Sequence, residues 1–335
     1  MDPALYRDFK ASRGFTYHYY FSPPKDSTKR TILFCHGFPS SSYDWHPQVS
    51  FFKKEGYGLI VPDLLGFGGT AKPTTAETYK MSFMVQDIID ILEHEKLTNI
   101  IGIAHDWGAV LLSRLAYYHP EYFAGFAFLG VFMPPNPDFE FKKALESTEK
   151  IYGYTLFGYW EFFSSDDAPK IIEEHIDSFY SLIFPSDPLY WKEHFAPLGK
   201  ARAWVESNRI EKRVPYFTDE EWRQHQKNIL QGGFASALCW YKSMVHDHTP
   251  AEERNMKIDP NRIVIKAPVL FGAALHDYIC LPDVGKAVTR QFCPNARIVD
   301  FETDHWINLA ARDPVNKELL DWIKGDIEKN AQERL

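Results

Sequence analysis

The stretch NIIGIAHDWGAVLLSRLAYYH (99–119) constrains this chain more than any other. An apolar run of strand length passes into a helical pattern with only HDWG between them. So sharp a turn needs small residues beside it, and Ala104 and Gly108 stand two positions to either side of Asp106. Small, any, nucleophile, any, small is the layout of a strained strand-to-helix elbow that pushes its central side chain out at the top of a sheet. Many hydrolytic enzymes place a serine there; this chain has an aspartate. Taken alone, Asp106 reads equally well as a plain helix N-cap, a position that Asp favours.

The surrounding pattern supports a sheet. FTYHYYF (15–21), TILFC (31–35), GLIVPD (58–63) and FAFLGV (126–131) read as further strands. SFMVQDIIDILEHEK (82–96) carries Met84, Ile88, Ile91 and Leu92 at helical spacing, opposite Asp87 and Asp90. Strands alternating with helices predict a mostly parallel sheet covered on both faces. The alternation stops at MPPNPD (133–138), and residues 139–247 read as helical and rich in aromatics. Strands return at APVLFGAAL (267–275) and ARIVDFE (296–302), and an amphipathic helix (315–329) follows. The expected architecture is an α/β domain, residues 1–133 and 248–335, split by a helical cap, residues 134–247.

Composition narrows the partners. With 335 residues, 45% of them hydrophobic, the chain can bury a full core. The net charge is −8 and no Lys/Arg run offers a stripe for phosphates, which argues against nucleic acid. No apolar run has the length of a membrane span, and the N-terminus lacks a signal-peptide layout. Cys35, Cys239, Cys280 and Cys293 form no C-x-x-C pair and read as reduced thiols, so a cytoplasmic setting is expected. Glu333-Arg334-Leu335 faintly resembles a peroxisomal tripeptide, from which Glu333 departs. HDH (246–248) has the residue types of a metal site but reads as a plain loop beside Pro250, and GFGG (66–69) lacks the lysine of a phosphate loop.

Three more pieces stand at strand ends. HGFP (36–39) follows TILFC, Asp277 follows an apolar strand in AALHDYICLP (273–282), and His305 follows the last strand in TDHW (303–306). Nucleophile, acid, histidine is the chain order of the α/β-hydrolase fold, and HGFP resembles its oxyanion loop. From HGFP through HDWG to DHW, the chain resembles the soluble epoxide hydrolases, in the short form without an N-terminal phosphatase domain.

That resemblance implies a chemistry that also explains the aspartate. An Asp carboxyl, with an ordinary pKa of about 3.9, is ionised at neutral pH and attacks carbon without a base. Asp106 would take the epoxide carbon and become an ester. His305, oriented by Asp277, would activate the water that hydrolyses it, against an oxyanion hole of the Phe38 and Trp107 N–H groups. An alkoxide leaving group wants a proton donor, and a phenol with a pKa of about 10 is one. Tyr241 in CWYKSM and Tyr154 in IYGYTLF match the paired cap tyrosines of the family, with Tyr152 and Tyr159 close by. Phe38, Trp107, Phe132, Tyr152, Phe157 and Trp306 are the expected pocket residues for a small apolar epoxide. No cofactor or metal is implied, and the protein is expected as a monomer or homodimer. Haloalkane dehalogenases share HDWG, but they carry Asn as second halide donor where this chain has Phe38. A hydrolase-like ligand receptor with little turnover is the third reading.

Overall fold

The computed structural model describes residues 1–258 and 263–329. Its strands are β1 (Tyr6–Lys10), β2 (Thr16–Ser22), β3 (Thr31–Cys35), β4 (Gly58–Pro62), β5 (Ile100–His105), β6 (Phe123–Leu129), β7 (Val269–Ala274) and β8 (Ala296–Phe301). They form one sheet in the order β1-β2-β4-β3-β5-β6-β7-β8. β1 pairs with β2, and β2 with β4, antiparallel; every later pair is parallel. β3, β4, β5 and β7 are buried along their whole length. A strand covered on both faces has no polar side to show, which is why these read as unbroken apolar runs.

Helices Met81–His94 and Trp107–Tyr118 cover one face, where Leu33, Ile88, Leu112 and Phe126 pack together. Helices His46–Lys54 and Arg312–Trp322 cover the other, with Phe34, Phe52, Leu319 and Trp322. Two sequence expectations change here. β1 has no counterpart in the sequence reading: YRDFK is a half-exposed edge strand whose charged residues hide any apolar alternation. Asp87 does not sit on a solvent face. It is buried, accepts hydrogen bonds from Arg13 Nε at 2.9 Å and Tyr17 Oη at 2.7 Å, and pins β2 to the helix.

Between β6 and β7 the chain forms a run of helices, from Phe141–Tyr152 through Cys239–Val245 to His248–Asn255. The Pro-rich segment that opens this run is fastened from below. Arg114 and Glu253 form a buried ion pair at 2.9 Å. Ser113 Oγ donates to the Met133 carbonyl at 2.7 Å, and the Asn136 N–H donates to Glu253 at 2.7 Å. A charge buried this deeply persists only when paired, and Arg114 Nε also donates to Glu253 at 3.0 Å. The helical run then packs back over the strand ends: Trp240 donates to the Leu65 carbonyl at 2.9 Å, and Trp306 to the Ile183 carbonyl at 3.2 Å. Among the described residues no helix is long and apolar enough to cross a membrane. The tripeptide Glu333–Leu335 lies outside the described residues.

Candidate active site

β5 ends at His105 and the next helix begins at Trp107, so Asp106 alone makes the turn. Its backbone has φ 53 and ψ −127. A non-glycine residue in that region carries roughly 1–3 kcal/mol of strain, tolerated only where the surroundings enforce it. The enforcement is steric. A Cβ on Gly108 would lie 2.3 Å from the Cys35 carbonyl oxygen, so the helix start can approach β3 only as glycine. Asp106 makes no capping hydrogen bond, which removes the plain N-cap reading.

The carboxylate faces the loop after β3 instead. The Phe38 N–H donates to Asp106 Oδ1 at 2.8 Å, whereas the Trp107 N–H makes no hydrogen bond with the carboxylate. The loop is held by His36, whose Nε2 accepts the Leu64 N–H at 2.9 Å and whose Nδ1 then donates to the Gly37 carbonyl at 2.9 Å. Burial holds the His36 imidazole neutral, below its ordinary pKa, as that tautomer requires. A Cβ on Gly37 would lie 2.2 Å from Asp106 Oδ1. Gly37→Ala is therefore expected to displace the carboxylate and lower kcat/KM roughly 100-fold, with the thermal midpoint little changed; steady-state kinetics beside a melting curve checks it.

Asp277 stands just after β7 and His305 four residues after β8. His305 Nδ1 and Asp277 Oδ2 are 2.6 Å apart, and Nε2 lies 3.6 Å from Asp106 Oδ2. The other Asp277 oxygen accepts the Ile279 and Cys280 N–H groups, both at 2.9 Å. Burial works against a charge on His305, but Asp277 and Asp106 outweigh it and hold its pKa well above the ordinary imidazole value. Burial also pushes Asp106 up, yet His305, His105 and the Phe38 N–H together bring its carboxyl below the usual range. Both shifts favour an ionised Asp106 carboxylate beside a protonated His305.

Asp277, Cys280 and His305 bring one potential metal ligand each within 4.8 Å of one another. The short His305–Asp277 bond occupies the two harder ligands. Burial pushes the Cys280 thiol up to about 12, so it is a neutral thiol rather than a metal-binding thiolate. His246 and His248 flank Asp247 where one helix ends and the next begins.

Tyr241 hangs over the carboxylate from helix Cys239–Val245, its ring 5.1 Å from that of Phe38 and 5.0 Å from that of Trp107. Tyr154 does not join it. Its hydroxyl donates to the Tyr278 carbonyl at 2.8 Å, and its ring lies under Lys192. The tyrosine beside Tyr241 is Tyr159, with ring centroids 5.9 Å apart. Among the described residues no acceptor takes either hydroxyl. Burial above all, reinforced by the Asp106 charge, raises both phenols well above their ordinary pKa.

The remaining expected pocket residues divide. Phe38 packs against Phe163, Phe179 and Phe234 of the helical run, and Trp107 against Trp160 and Trp240. Phe132 and Phe157 line a largely apolar cavity of about 410 Å³ that reaches Cys280, next to His305. Trp306 lies behind His305, and Tyr152 ends helix Phe141–Tyr152 outside the lining of that cavity.

The model of the alpha/beta hydrolase fold family matches residues 30–311, most of the chain. The chain belongs to the α/β-hydrolase family. The chain is 25% identical over 302 residues to the bifunctional epoxide hydrolase 2 of Rattus norvegicus, and that match takes in 89% of the chain but only 52% of the rat protein. The chain thus spans about half the length of that relative. It is 24% identical to epoxide hydrolase B of Mycobacterium tuberculosis, over 93% of the chain and 96% of that protein. Among solved structures, an epoxide hydrolase variant from Vigna radiata superposes with a TM-score of 0.78 at 22% identity, covering 95% and 98% of the two chains. Epoxide hydrolase A from Mycobacterium thermoresistibile gives 0.76 at 22% identity, covering 96% and 98%. At such identities the superpositions establish the fold.

Proposed function

We propose that this hydrolase converts an apolar epoxide and water to a vicinal diol through an ester on Asp106. The observation that carries the reading is the pair of phenols, Tyr159 and Tyr241, beside a carboxylate at a nucleophile elbow, with no acceptor among the described residues for either hydroxyl. Relatives named epoxide hydrolases support it. An Asp106 oxygen attacks one epoxide carbon, the carbon–oxygen bond breaks, and the departing alkoxide takes a proton from Tyr159 or Tyr241.

Esterification also removes the Asp106 negative charge. That charge is one of the groups holding a proton on His305, so its loss lowers the imidazole pKa and frees a base when one is needed. His305 then takes a proton from water, and the hydroxide attacks the ester carbonyl carbon. The oxyanion lies against the Phe38 N–H, the donor that already holds the resting carboxylate, and the Trp107 N–H, which makes no bond to that carboxylate, would have to turn toward it to act as a second donor. Collapse expels the ester oxygen, which takes the proton of the added hydroxyl to complete the diol and restore the carboxylate; the proton that His305 gave up on esterification returns through solvent to the tyrosinate, and the one taken from water leaves His305 cationic again. Asp277 keeps the imidazole oriented and stabilises its cation. A halide departs as a stable anion that needs no proton from a phenol, and it lacks a side-chain donor at Phe38, so the same nucleophile and acids suit an oxygen leaving group better.

A single turnover in ¹⁸O-water tests the route. With enzyme in excess over epoxide, the first diol is expected to carry unlabelled oxygen from Asp106, and the label is expected in the enzyme peptide spanning residue 106. Label appearing in the first diol overturns the ester mechanism.

A further inference from the structure

Asp304 precedes the histidine, is largely buried, and has no part in the steps above. Its Oδ1 accepts the Trp306 N–H at 3.0 Å, so the carboxylate bridges the backbone on either side of His305. Its Oδ2 accepts the hydroxyl of Tyr216, from the helical run, at 3.1 Å. Asp304 and His305 also share the wall of a cavity of about 10 Å³, room for one water, with Trp191 and His276.

Tyr216 is itself anchored. Its carbonyl accepts Arg312 Nη2 at 3.0 Å, and Arg312 Nη1 reaches Glu221 at 2.6 Å. The same Glu221 oxygen accepts His46 Nε2 at 2.9 Å, on the helix after the Phe38 loop. One short segment, Tyr216 to Glu221, therefore touches both the His305 side and the oxyanion side of the site.

We propose that Asp304 is a positioning residue for His305: held by Tyr216 from the cap, its carboxylate fixes the histidine turn and adds a second negative group that strengthens the imidazole as a base. Seating of the cap is thereby linked to ester hydrolysis. The assignment rests on the ester route proposed above. The groups facing Asp304 are Tyr216 from the helical segment, His305 and the Trp306 N–H from its own loop, Asp277 from the loop after β7, and His276 across the small cavity. Burial lifts the Asp304 carboxyl to about 6, with Asp277 adding to the rise, so the second charge is present above that pH and fades below it.

Rapid-quench kinetics on the full chain tests the idea, reading formation and decay of the ester on the peptide containing Asp106. Asp304→Asn keeps an oxygen for the Trp306 N–H. Its ester is expected to form within about 2-fold of the wild-type rate but to decay about 10-fold more slowly, with the acid limb of decay moved to lower pH. Tyr216→Phe, which keeps the ring, is expected to shift both in the same direction by less. Unchanged decay and pH profile in both variants, even with lowered thermal midpoints, overturn the assignment and leave the ester route standing. Should Asp304→Asn fail to fold, Tyr216→Phe decides alone. Failure of the unmodified protein to form any ester overturns the route, and this assignment with it.

Discussion

Asp106→Asn is expected to lower kcat by about 10⁵-fold, the scale on which a nucleophile's loss is felt, while the protein melts within a few degrees of the unmodified chain. The side chain keeps its size and its oxygen for the Phe38 N–H, so the elbow loses a charge and not its packing. The substitution also reports on His305. The Asp106 anion helps hold that imidazole's pKa up, so its removal lowers the pKa. An NMR titration of His305 is expected to show the cation persisting to higher pH in the unmodified protein than in the variant. A variant that turns epoxide over at near-normal rates sinks the nucleophile assignment; an unmoved titration sinks the electrostatic coupling.

The parts of this molecule legible in its sequence are those where a local rule and a tertiary constraint coincide. Gly108 and Ala104 announce the elbow because only small residues let the helix approach β3, and that steric demand is written at fixed spacing. Asp277 and His305 are legible because the parallel strands β3 to β8 all end at one rim. β1 was not, because an edge strand is kept charged and half-exposed. Asp87 is not legible, because helical periodicity carries no sign that Arg13 and Tyr17 arrive from β2 and its preceding turn to bury a carboxylate. Asp304 looks like any polar turn residue until Tyr216, 88 positions away, is placed against it.

The tyrosines follow the same logic, and a substitution series is expected to rank them. Three tyrosines stand within eight residues of IYGYTLFGYW, and motif similarity cannot choose among them. Backbone chemistry can. Gly153, at φ 80, caps helix Phe141–Tyr152 and leaves Tyr154 in the connection that follows. Tyr159 begins helix Tyr159–Phe163, which lies against helix Cys239–Val245 and turns its ring toward Tyr241. Removing both hydroxyls with Tyr159→Phe and Tyr241→Phe is expected to slow ester formation by roughly 10³–10⁴-fold, the range of general-acid catalysis, while decay of any ester formed stays within a few-fold. Each single change should fall between, since one phenol can still donate. Tyr154→Phe loses one hydrogen bond to a carbonyl, worth about 1 kcal/mol, and should slow the reaction no more than a few-fold. The pH dependence carries an independent sign. Both site phenols are raised, the protonated form is the donor, and so alkaline pH should not switch off opening through tyrosine ionisation below about 10. A Tyr154→Phe defect as deep as the double variant's would return the acid role to Tyr154 and show that the helical segment repacks when substrate binds.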